Sequence, residues 1–117
     1  MENQTLKQRW ITALRSGEYT QIQGQLKTDN GHCCLGVLCE IIDPTKFVPE
    51  PNNSGYSYLG LTSTLPSKIS DTLTNTDNTG VSAISQLVRM NDNNGCSFNE
   101  IADFIEQSIE IDETKLK

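Results

Sequence analysis

One histidine, nine Lys and Arg residues and no apolar run of bilayer length leave this 117-residue chain few ways to do chemistry. With His32 alone, no second imidazole exists to ligate a metal while the first acts as a base. The cations Lys7, Arg9, Arg15, Lys27, Lys46, Lys68, Arg89, Lys115 and Lys117 are dispersed and the net charge is -6, which disfavours both the nucleic-acid backbone and anionic membranes. A phosphate-bearing ligand therefore needs a local site. No nucleophile elbow, H-E-x-x-H helix or phosphate-binding P-loop occurs. The expectation is no catalytic residue, no metal and no cofactor. The opening Met1-Glu2-Asn3-Gln4-Thr5 is polar and leads into an amphipathic segment, which does not read as a secretory signal.

What is present begins with four cysteines, Cys33, Cys34, Cys39 and Cys96. Without an export route they read as reduced, largely buried thiols of a cytosolic protein. Zinc is the weaker reading, because Cys33 and Cys34 are adjacent and Cys34-x4-Cys39 lacks a second matched pair. His32 beside Cys33 and Cys34 raises the idea of a thiolate pair. Neighbours on a strand point to opposite faces, however, and no third group orients the ring, so a solvent-facing or loop-bonded His32 is expected.

The length suits one domain, 1–117, with a single hydrophobic core. Leu6, Trp10, Ala13 and Leu14 recur at helical spacing, with Thr5 as cap and Gly17 as stop, and Trp10 faces the core. Residues 19–27 alternate like a strand and feed the Asn30-Gly31 turn signal. Residues 33–42 are almost continuously apolar, as a short helix or a strand breaking into one, and end at Asp43-Pro44. Phe47-Val48 is a short strand just before a loop-rich 49–80 stretch, and residues 56–59 are a second within it. Val81, Ile84, Leu87, Val88 and Asn91 predict a helix stopped by Asn93-Asn94-Gly95. Ser97 and Glu100 form a capping box that opens a last helix through Phe98, Ile101, Ala102, Ile105 and Ile109, and residues 111–117 are expected to fray. Its acidic Glu100, Asp103, Glu106 and Glu110 would repel DNA phosphates, which argues against a helix-turn-helix reader. The fold class is α+β, a small antiparallel sheet flanked by N-terminal and C-terminal helices.

Residues 10–19, Gly24-x-Leu26, Cys33-Cys34-Leu35-Gly36-Val37-Leu38-Cys39, Met90-Asn91-Asp92 and Ser97-Phe98-x-x-Ile101-Ala102-x-x-Ile105-Glu106 together resemble small phage-borne proteins, in particular the first type of Thoeris anti-defence proteins. The resemblance spans most of the chain outside residues 49–80. It implies a sponge that sequesters cyclic ADP-ribose isomers in the bacterial host cytoplasm without cleaving them. It also implies a homo-oligomer with pockets near subunit contacts, and a second site for cyclic oligonucleotide signals.

Such a ligand carries an adenine, riboses and phosphates, and its capture needs shape, stacking, hydrogen bonds and a cation or two. Arg89 leads for the phosphates, with Lys27 and Arg15 behind it. Asn91 and Asp92, at a helix end, suit the ribose hydroxyls, although Asn and Asp also cap helices there. The adenine would stack on Tyr19, Tyr56 or Tyr58, unless these rings are core. Two other readings stand: a phage protein that inhibits a host factor by direct contact through the acidic last helix, and a hydrolase using Cys33 or Cys34 with His32.

Overall fold

Thr5 opens the first helix as the spacing predicts: its hydroxyl accepts from the Gln8 amide at 3.1 Å while its own amide donates to Gln8 Oε1 at 3.0 Å. In the computed structural model, which describes residues 4–51 and 55–116, this helix is α1, Leu6–Arg15. It buries Leu6, Trp10, Ile11 and Leu14 and ends beside Gly17, whose φ of +79° favours glycine. α1 packs on the last helix, α5 (Phe98–Ser108), and on α2 (Cys34–Ile42). The Trp10 indole donates to the Cys34 carbonyl at 2.9 Å, so the polar edge of this fully buried ring is satisfied.

The apolar 33–42 run is helical, not extended. Cys33 caps it, its Sγ accepting from the Gly36 amide at 3.4 Å. Gly36 is required by contact: a Cβ there would lie 1.8 Å from the Leu26 carbonyl oxygen. The helix can therefore lie directly on the preceding loop, burying Cys34, Leu35, Val37, Leu38 and Cys39.

The architecture is α+β with helices towards both ends of the chain, and the strands pair as three antiparallel two-stranded ribbons. β1 (Lys27–Thr28) pairs with β2 (Gly31–His32), β3 (Phe47–Pro49) with β4 (Tyr56–Tyr58), and β5 (Leu73–Asn75) with β6 (Ile109–Ile111). The long strand expected over residues 19–27 shrinks to its last residue and the one after it. Gly24, at φ +84°, bends the segment out of extended geometry, and only a bridge between Gln21 and His32 remains of the pairing before β1. The 49–80 stretch carries more structure than its composition suggests. Besides β4 and β5 it contains α3 (Ser67–Ser70), and Tyr58, Leu65, Ile69 and Leu73 enter the core. Part of it, residues 52–54, lies outside the described residues.

The tail expected to fray is tied down instead. Ile111 pairs with Leu73, a short helical turn follows over Glu113–Leu116, and Glu113 accepts from the Leu6 amide at 2.7 Å. In the C-terminal third, α4 (Ala83–Val88) is shorter than its apolar spacing suggests and runs into a π-helical turn, Arg89–Asn93. The wider turn brings two consecutive residues, Met90 and Asn91, into the interior. Ser97 and Glu100 then close the expected capping box at 3.2 and 2.8 Å.

Candidate functional site

Lys27, on β1, organises the most conspicuous polar cluster. Its ammonium lies 2.8 Å from Glu40 Oε2 on α2, and the same oxygen receives His32 Nε2 from β2 at 2.8 Å. The ammonium also stands 4.6 Å from the centre of the Tyr56 ring and 4.9 Å from that of Phe47, within cation–π range. Around it the rings meet edge to face, Tyr19 on His32 at 5.1 Å and Phe47 on Tyr56 at 6.4 Å. Burial opposes ionisation of Glu40, but the hydrogen bonds from Lys27 and His32 outweigh it and hold the carboxyl below its ordinary pKa. His32 is thus half-buried and bound to a helix carboxylate, not facing solvent or bound to a loop as expected.

This cluster forms one wall of a concavity of about 400 Å³, open on one side, into which Tyr19, Lys27, His32 and Tyr56 face. The β1–β2 turn supplies another wall, where Asp29 accepts from the Tyr56 hydroxyl at 3.2 Å. The hairpin lies close to the residue 20 backbone because Gly31 permits it; a Cβ there would stand 2.2 Å from the Thr20 carbonyl oxygen. The concavity offers ring faces, hydroxyls and backbone groups. Its charge is not strongly positive: Glu40 balances Lys27, and Glu18 and Asp29 stand on the rim.

Three sequence-predicted residues, Tyr19, Lys27 and Tyr56, come together here. The others do not. Asn91 is 1% exposed, and all four hydrogen-bonding positions of its amide are taken: Oδ1 accepts from Gln21 Nε2 at 3.0 Å and from the Cys34 amide at 3.2 Å, and Nδ2 donates to the Ile22 carbonyl and to Asp92 Oδ1, both at 2.8 Å. Its placement as a ligand contact is corrected: it is an internal knot tying the π turn to the 21–22 loop and to the start of α2. Asp92 is drawn into the same knot and also accepts from the Gly24 amide at 3.2 Å. Arg15 faces α5, where it pairs with Asp103 at 2.6 Å and Glu106 at 3.0 Å. Arg89 is exposed and lines none of the concavities that hold Tyr19, Lys27 and Tyr56. Tyr58, a candidate stacking ring, is core and packs on Phe47 at 4.9 Å. Glu40 and Phe47 complete the cluster; the clue to Glu40 is its place as the eighth residue of the apolar 33–42 run, where a carboxylate needs a partner.

The thiols are poorly disposed for attack. Burial pushes Cys33 up to about 11, against the Gly36 amide that favours its thiolate, and raises Cys34 and Cys39 as well. Among the described residues His32 makes no hydrogen bond to a cysteine, and no three His, Cys, Asp or Glu side chains are placed to hold a metal ion. The acidic face of α5 is largely engaged at home: Asp103 and Glu106 hold Arg15, Glu100 caps its own helix, and Glu110, just past the helix, meets Lys7 at 3.5 Å. No helix among the described residues is long and apolar enough to cross a membrane.

Comparison with known proteins gives a family. The chain belongs to DUF8296, a domain of unknown function, which it matches over residues 1–109. No curated protein and no solved structure matches it.

Proposed function

We propose that this protein binds and sequesters a cyclic ADP-ribose-type signal without cleaving it, as the resemblance to Thoeris anti-defence proteins implies, in the cytoplasm of a phage-infected bacterium. The ligand sits in the concavity bounded by Tyr19, Lys27, His32 and Tyr56. The observation that carries this reading is the gathering of three rings and an ammonium around one open concavity, with none of the four thiols in its lining.

Charge refines the pose. The rings and hydroxyls suit an adenine and its ribose, while a pyrophosphate has only Lys27 to share and that ammonium already serves Glu40. The nucleoside therefore enters the concavity and the phosphates lie at its open side. An open side also suits completion by a second copy, so the working form is a homo-oligomer. Retention should weaken only slightly with added salt, because few unpaired charges meet the ligand.

The test mixes the protein with the product of a TIR-domain defence enzyme, filters it, assays the free signal, and repeats the assay after heating the retained protein. Signal that disappears and returns unaltered supports sequestration. Signal that returns altered makes the protein an enzyme, and signal never removed refutes the reading.

A further inference from the structure

A second concavity, of about 280 Å³, opens where the end of α2, the turn after β4, α3 and the C-terminal turn meet. It shares no lining residue with the first. Its floor is apolar, formed by Ile42, Ile69 and Leu116. Leu59 stands at its mouth, 57% exposed and in the left-handed region at φ +51°, a conformation that branched apolar residues seldom adopt. An apolar side chain is held out to solvent at that point instead of folding into the core.

Polar groups complete the lining. Tyr58 is 1% exposed, yet its hydroxyl makes no hydrogen bond among the described residues, although no fully enclosed side-chain oxygen or nitrogen there lacks a partner. The little surface Tyr58 keeps therefore includes its oxygen, a donor waiting at the cavity wall. Lys46 and Lys68 flank the opening, both exposed and neither in an ion pair among the described residues, whereas Lys7, Arg15 and Lys27 are paired. The one carboxylate in the lining, Asp43, already accepts from the Thr45 amide at 3.1 Å and from its hydroxyl. On a chain of net charge -6, this is an apolar slot with two exposed cations at its rim, of which Lys46 also acts on Asp43 while Lys68 is in no ion pair among the described residues.

We infer that this cavity binds an amphipathic monoanion, an aliphatic carboxylate. Its chain lies on Ile42, Ile69 and Leu116 beneath Leu59, and its head meets the ammonium groups of Lys46 and Lys68 and accepts from the Tyr58 hydroxyl. The long lysine stems allow both ammonium groups to close over the head while their methylenes extend the apolar wall. The volume sits at the lower edge of small-molecule sites, which favours a short chain over a membrane lipid.

The test follows amide shifts of the isotope-labelled full chain on titration with sodium octanoate below its micelle concentration, with octanol and inorganic phosphate as separate titrants. Octanoate should give saturable shifts centred on Ile42, Leu59, Ile69 and Leu116, octanol should bind about tenfold more weakly, and phosphate alone should not produce them. Lys46→Gln and Lys68→Gln, both surface changes, should each weaken octanoate several-fold. Tyr58→Phe should weaken it too while leaving the melting temperature unchanged, because no internal hydrogen bond is lost. Octanol binding as tightly as octanoate, phosphate reproducing the shifts, saturable shifts elsewhere, or no saturable shift would each overturn the assignment.

Discussion

Asn91 and Lys27 are both polar groups drawn inwards, and they differ in what is left over. Around Asn91 every donor and acceptor is spent on the protein itself, so the π turn, the 21–22 loop and the start of α2 are locked together. Around Lys27 the ion pair with Glu40 is internal, but the ammonium, the Tyr19 and His32 rings and the Tyr56 ring still border a concavity. The contrast teaches that a motif at a helix end can be structural to its last hydrogen bond, while a lysine on a two-residue strand can leave its ammonium and the neighbouring rings at an open concavity.

Breaking the knot should have the largest effect. Asn91→Ala strands the Cys34 amide and the Ile22 carbonyl in the interior and should cost about 3 kcal/mol or more, read by urea unfolding. A cost below about 1 kcal/mol would mean that water or neighbours replace the amide easily.

Glu40→Gln comes next. It removes the shared partner of Lys27 and His32 and should cost about 1–2 kcal/mol at neutral pH. Glu40 has a folded pKa below its ordinary 4.5, so its contribution is fully present above that value and is lost as pH falls through the lower folded value. The gap in melting temperature between wild type and Glu40→Gln should therefore be wide at pH 7 and close under strong acid; a gap that persists there would contradict the ion-pair origin.

Tyr56→Ala sharpens the comparison from the other side. It should reduce retention of the signal by about tenfold or more while costing less stability than Asn91→Ala, because the ring is only half-buried. Arg15→Ala should do least: its pairs with Asp103 and Glu106 are exposed, and neither retention nor melting should separate from wild type. Alkylation of the native protein should reach half-buried Cys96 well before buried Cys33, Cys34 and Cys39; early loss of Cys33 would revive a reactive thiol.

The helices were legible where local chemistry decides them. Thr5 and Ser97 announce their caps, and the apolar stripes of α1 and α5 give the buried faces directly. The β3–β4 ribbon was legible too, from Phe47-Val48 and residues 56–59, but the other ribbons were not, since two or three residues per strand leave no period to read and Gly24 breaks the one alternating run. The 33–42 run stayed open between helix and strand because burial on all sides erases periodicity. Asn91 and Asp92 drew attention through the family resemblance and their place at a helix end, and Arg89 as a cation for phosphate; the spacing that sets Asn91 in line with Leu87 and Val88 hints at its burial, but the π turn that holds it there is not legible in the sequence. Tyr19, Lys27 and Tyr56 were in view, but their convergence around Glu40 depends on pairings across the fold.

The most direct measurement is an amide-shift map of the labelled protein titrated with the TIR-enzyme product. The expected result is saturable shifts at residues 18–20, 27–32 and 56 with the 89–92 turn unmoved. Shifts confined to residues 89–92, with the Tyr19–Lys27–Tyr56 concavity silent, would contradict the placement of recognition at Lys27 and of structure at Asn91.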